Sequence, residues 1–218
     1  MATYDLEEQE QLDTLKAWWK QWGNVVTGLA LAVSLSLAGW RGWDWWQQQR
    51  AVEASAVYSV LQKAVAQRDM QRVKGATGEL LEKFGGTTYA SMAALMAGRM
   101  ALESGDAKTA KAQLSWAADN AKDDLRDLAK LRLSSVLLDE KAYDEALRQL
   151  GDPSTAGFVP RFSDLKGDIF FAQGKRAEAR SAYQAVLDFG KKAAPGEARL
   201  APAFREVVQQ KLDALGDA

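Results

Sequence analysis

Apolar and polar positions divide the chain into stretches of different character. Between Lys20 and Arg41 lie 20 residues without a charge, QWGNVVTGLALAVSLSLAGW. At about 1.5 Å per residue, a helix of that length spans the roughly 30 Å of a bilayer's hydrocarbon. The pattern therefore predicts a transmembrane helix over residues 21–40. Residues 1–20 form an acidic N-terminal tail, and across its end Leu12, Leu15, Trp19 and Trp22 follow helical spacing and predict a short interfacial helix running into the span. Residues 41–50 are a Trp-rich juxtamembrane segment. From residue 51 to 218 apolar residues recur at helical period and no run alternates as a strand would. Breaks are expected at Gly85-Gly86, Gly105-Asp106, Gly151-Asp152-Pro153, Gly174 and Gly190. The fold class is all-α: an N-terminal single transmembrane helix followed by a helical repeat domain.

The tryptophans sharpen the membrane reading. Trp18, Trp19 and Trp22 stand at one end of the apolar run and Trp40, Trp43, Trp45 and Trp46 at the other; only Trp116 lies elsewhere. Indole is apolar in body and polar at its N–H, so belts at both ends fit interfacial anchoring. A secretory leader begins with a short basic region, whereas this run follows Asp5, Glu7, Glu8, Glu10 and Asp13. An uncleaved anchor is the better reading. Lys16 and Lys20 flank one end, Arg41 and Arg50 the other, so positive charge alone leaves the orientation open. Gly28, Ala32 and Ser36 recur every four residues and mark a face where another membrane helix could approach closely.

Comparing the second part with itself exposes a repeat. With Ala110, Ala146 and Ala179 aligned, small residues stand twelve positions earlier (Gly98, Ser134, Gly167). Apolar ones stand nine earlier (Ala101, Leu137, Phe170) and large apolar ones four later (Leu114, Leu150, Tyr183). Small residues at contacts and large ones in grooves are what antiparallel helix pairs need in order to stack. The spacing resembles the tetratricopeptide repeat, with residues 165–174 followed by Ala177-Glu178-Ala179 and Tyr183 as its clearest copy. The fold thus reads as a tetratricopeptide-repeat-like helical solenoid. In the second copy Pro153 cuts the second helix short. Residues 51–84 supply a degenerate first pair turning at Gln67-Arg68-Asp69, and residues 197–214 a C-terminal capping helix, with Leu200, Phe204, Val207, Val208, Leu212 and Leu215 at about helical spacing.

Composition removes most enzyme chemistry. The chain has no Cys and no His, so thiolate nucleophiles, His general bases and Cys- or His-ligated metals are excluded. Lys plus Arg total 28 against 29 Asp plus Glu, which leaves no basic field for nucleic acid. No phosphate loop follows Gly85-Gly86. Asp164 and Asp168 share a helix face, but with Arg161 and Lys166 nearby they read as a salt-bridged surface. A hydrolase acting through carboxylates alone would need a deep cleft and a carboxylate of raised pKa. The sequence implies no enzyme, cofactor or metal. A solenoid's concave face offers binding instead. The positions mapped to it are Met92, Leu95, Arg99 and Leu102; Leu128, Leu131, Ser135, Leu138 and Asp139; and Arg161, Asp164, Asp168 and Phe171.

An acidic tail, one early span and a repeat domain carrying Leu165-Lys166-Gly167-Asp168-Ile169, Gln173-Gly174-Lys175 and Ala177-Glu178-Ala179-Arg180 together resemble the bacterial YfgM family, ancillary subunits of the SecYEG translocon. The resemblance implies a single inner-membrane pass, a cytoplasmic N-terminus and a periplasmic repeat domain. It also implies partnership with the translocon and a PpiD-type membrane-anchored chaperone, with secreted or unfolded clients as further partners. The alternative is a repeat scaffold of another envelope complex or of a stress-signalling partner. Oligomeric state is left open.

Overall fold

The computed structural model describes residues 4–192 and 200–216; residues 1–3 of the acidic tail and 197–199, the expected start of the capping helix, lie outside them. Nine α-helices are formed among the described residues: α1 (Tyr4–Ala66), α2 (Met70–Phe84), α3 (Thr88–Glu103), α4 (Ala107–Asn120), α5 (Asp123–Asp139), α6 (Tyr143–Leu150), α7 (Val159–Ala172), α8 (Arg176–Lys192) and α9 (Pro202–Ala214). A single turn of 3-10 helix, Ala156–Phe158, precedes α7. The chain divides into two compact units, 1–50 and 51–218, and α1 contributes to both.

In the first unit, helix runs without a break from the tail through the span and the Trp-rich segment. Its large apolar side chains face outward: Leu29, Leu35 and Trp40 are exposed, as are Trp18, Trp19 and Trp22. α1 carries the one described stretch long and apolar enough to cross a membrane. Ser34 and Ser36 donate their hydroxyls to the carbonyl oxygens of Ala30 and Ala32, each at 2.8 Å, so neither leaves a polar group unsatisfied in an apolar surrounding. Beyond the span, Trp43 and Trp46 lie 5.2 Å apart and the Arg50 guanidinium sits 4.7 Å over the Trp46 ring. This cation–π contact holds a basic group beside the interfacial indoles.

The second unit is a stack of antiparallel helix pairs. Ala, Leu, Lys, Glu and Gln favour helix throughout, and Asp69, Thr87 and Asp106 cap α2, α3 and α4 by accepting from Arg72, Ala90 and Thr109 backbone N–H groups. All four pairs close with one turn. Its penultimate residue lies in the left-handed region: Arg68, Gly105, Lys141 and Gly174. The next N–H then reaches back five residues, from Asp69 to Ala64, Asp106 to Ala101, Ala142 to Leu137 and Lys175 to Phe170. This is the helix-ending motif glycine suits best. Residues 51–66 with α2 therefore form a true first pair.

Within the pairs, size complementarity sets the approach. A β-carbon on Gly98 would lie 3.0 Å from Leu114, and one on Gly167 would lie 2.3 Å from the Tyr183 ring. Ala110, Ala146 and Ala179 are fully buried beside these contacts. At the equivalent first-pair positions the sizes are exchanged, with buried Leu61 and Thr77. Pro153 and the left-handed Gly151 end α6 after eight residues. The loop that follows is tied down by Asp127, which is fully buried and accepts from the backbone N–H and hydroxyl of both Ser154 and Thr155.

One expected break is absent. α8 continues through Gly190 to Lys192. The glycine serves a contact: a β-carbon there would stand 2.7 Å from Leu200, which packs with Phe204, Val208 and Leu212 against Tyr183, Val186 and Leu187. α9 thereby hides the apolar face of the last pair, as a solenoid end requires.

Candidate protein-binding groove

The first helices of successive pairs line two cavities. One, of about 430 Å³, lies between residues 58–68, α3 and α5; it is walled by Tyr58, Val65, Arg68, Met92, Leu95, Met96, Arg99, Met100, Glu103, Leu125, Leu128 and Arg132. The other, of about 790 Å³, lies between α3, α5 and α7 and is walled by Leu102, Leu128, Leu131, Arg132, Ser135, Val136, Asp139, Phe158 and Arg161. Leu128 and Arg132 belong to both, so the two form one groove. Its floor is apolar and its charged groups are mostly arginine, a composition suited to burying apolar side chains.

Nine of the positions mapped from sequence stand on this groove: Met92, Leu95, Arg99, Leu102, Leu128, Leu131, Ser135, Asp139 and Arg161. Leu138 is half-buried against the core shared by α3 to α7. Phe171 is exposed on α7, outside both cavities. Asp164 and Asp168 also lie outside them, because α9 reaches over this end of α7. The Lys211 ammonium binds Asp164 at 2.8 Å and Asp168 at 2.8 Å, and Asp168 accepts from the Tyr183 hydroxyl at 2.7 Å. The two carboxylates are thus salt-bridged, but to Lys211 rather than to their neighbours. Lys166 pairs with Asp152, and Arg161 lies over the Phe204 ring.

The electrostatics follow from this geometry. Burial disfavours the Lys211 charge, yet hydrogen bonds and attraction from two carboxylates outweigh it and raise its pKa. Burial raises that of Asp164, with the charge of Asp168 adding to it. Burial also pushes the Tyr183 hydroxyl up, reinforced by its bond to Asp168. A raised carboxyl is one requirement of acid catalysis, but Asp164 opens onto neither cavity and is held by Lys211; it joins helices. Among the described residues no cluster of three or more carboxylates is placed to hold a metal.

Several groove residues escape sequence mapping. Met96 and Met100 continue the four-residue step begun at Met92, a signal present but unused. Arg132 neighbours Leu131 in sequence, and Tyr58, Val65 and Arg68 come from the degenerate first pair. On the span, Gly28, Ala32 and Ser36 occupy one exposed face, and no side chain approaches Gly28.

The arrangement has relatives. A family model described as a tetratricopeptide repeat-like domain matches residues 16–217. A protein of Neisseria gonorrhoeae named ancillary SecYEG translocon subunit is 32% identical over 212 residues, covering 96% of this chain and 98% of its own. Proteins of the same name from Haemophilus influenzae and Escherichia coli are 31% identical over 189 residues and 28% identical over 220. These cover 86% and 99% of this chain and 92% and 99% of their own.

Proposed function

Starting from a chain that belongs to the tetratricopeptide repeat-like family of ancillary SecYEG translocon subunits, we propose a non-enzymatic, membrane-anchored, protein-binding subunit of the Sec translocon. The observation that carries this reading is the open groove on the first helices of the repeat pairs, in a chain that also bears a membrane-length apolar helix. The span anchors the protein in the bacterial inner membrane, with residues 1–20 cytoplasmic and residues 51–218 periplasmic. The Gly28–Ala32–Ser36 face meets a helix of the translocon. The groove takes a PpiD-type chaperone or a secreted client. Anchoring makes the second encounter intramolecular and raises the effective concentration of the groove where clients emerge.

Affinity purification from inner membranes in mild detergent tests the partnership. Translocon subunits are expected with the wild-type chain and are lost when Gly28, Ala32 and Ser36 are replaced by Leu. Recovery of a different envelope complex without translocon subunits refutes the assignment in favour of a scaffold. The absence of Cys makes topology readable too. In intact cells with a permeable outer membrane, an impermeant maleimide should label Ser135→Cys, and protection until the inner membrane is lysed reverses the orientation.

A further inference from the structure

On the apolar floor of the groove lies a positive charge that no carboxylate among the described residues neutralises. Arg132 is half-buried, and its guanidinium donates to the Leu95 carbonyl at 3.4 Å. No carboxylate pairs with it among the described residues. Its neighbour Arg99 is engaged by Glu103 at 2.7 Å. Burial and repulsion from Arg99 both lower the Arg132 pKa, which is the mark of a charge lacking compensation. Across the whole groove four arginines (Arg68, Arg99, Arg132 and Arg161) face two carboxylates, Glu103 and Asp139. Beside Arg132, Met92, Met96 and Met100 form a stripe along α3.

We propose that the groove receives a polypeptide segment with large apolar side chains around an Asp or Glu, the apolar groups resting on the methionine stripe and the carboxylate meeting Arg132. This rests on the reading of the groove as a protein-binding site and deepens it by naming what is bound. A half-buried guanidinium gains most from a carboxylate, which accepts two parallel N–H bonds and neutralises the charge that repels Arg99. Methionine is flexible and polarizable, so the stripe accommodates leucine, phenylalanine or valine with little discrimination. Register and selection then come from the acid. A segment with a basic residue at that point is rejected, because it places a third cation beside two.

The test uses the full chain in detergent and three fluorescent Leu- and Ala-rich helical peptides that differ only in a central Glu, Gln or Lys. Anisotropy titration should rank them Glu, then Gln, then Lys, with about tenfold between Glu and Gln from the charge-assisted pairing with Arg132. Only the Glu peptide should weaken steeply with added salt, a readout that needs no variant. Arg132→Gln should equalise the Glu and Gln peptides, and Arg132→Glu should move the preference to Lys. Equal binding of all three peptides by the wild type, or a Glu preference that survives Arg132→Gln, overturns the proposal and leaves the groove a protein-binding site. Binding of none of the three overturns the groove reading as well.

Discussion

Gly167→Ala tests the idea that close helix approach within a pair depends on a missing side chain. The added methyl group would lie 2.3 and 2.5 Å from two carbons of the Tyr183 ring. Tyr183 cannot swing aside cheaply. It is 2% exposed, its hydroxyl is bonded to Asp168, and the Lys211 ammonium lies 5.6 Å from its ring centre. Overpacking of this kind costs about 1–3 kcal/mol, and a lost hydrogen bond to a charged group about 1.5–3. Replacing glycine by alanine inside a helix returns about 1 kcal/mol. The net is a loss of about 3 kcal/mol, or a melting temperature lower by roughly 6–12 °C for a domain of this size. Circular dichroism melts of the full chain in detergent read it directly. Gly78→Ala is the control: the β-carbon there meets nothing within 4 Å, so only the propensity gain remains and the chain should melt slightly higher. Gly167→Ala combined with Tyr183→Leu approximates the Ser134 and Leu150 combination and should recover the overpacking part of the loss but not the hydrogen bond to Asp168. A Gly167→Ala chain at least as stable as wild type would refute the argument.

Other sites give further expectations. The Ser134 hydroxyl is buried and has no hydrogen-bond partner among the described residues, so Ser134→Ala should stabilise by about 1 kcal/mol in urea unfolding; a loss of that size would mean the hydroxyl has a partner. Lys141 holds the left-handed turn position that Gly105 and Gly174 fill elsewhere, and Lys141→Gly should raise the urea midpoint by the equivalent of about 1 kcal/mol. Asp127 pits burial, which raises its pKa, against hydrogen bonds from Ser154 and Thr155, which win and hold it below the usual carboxylate range. Its folded value lies below its unfolded one, so its stabilisation is complete at neutral pH and is lost as pH falls through about 4 and below. Asp127→Asn should lower stability at neutral pH by about 2 kcal/mol and flatten the profile in that acid range. An unchanged acid profile would assign the loss to other carboxylates.

What the sequence conveys and what it hides divide along physical lines. Periodicity and size patterning are local, so the repeats and the Gly98–Leu114 and Gly167–Tyr183 contacts are legible from spacing. The first pair is legible only as a degenerate copy because Leu61 and Thr77 exchange the large and small positions, which preserves the packing and blurs the pattern. Gly190 misleads because one residue type both ends helices and admits close neighbours, and only the position of Leu200 tells which. Arg161 and Lys166 are the sequence-near partners for Asp164 and Asp168, while the actual one, Lys211, arrives from α9 through tertiary packing. Asp127 has no motif at all; its role depends on a loop that returns from Ser154 and Thr155.

Site-specific photocrosslinking in living cells, from Leu35 in the span and Leu131 in the groove, tests the central claim most directly. The account predicts capture of translocon subunits at Leu35 and of a periplasmic chaperone or secreted client at Leu131. Cytoplasmic proteins at Leu131 with no translocon subunit at Leu35 would contradict both the assignment and the topology.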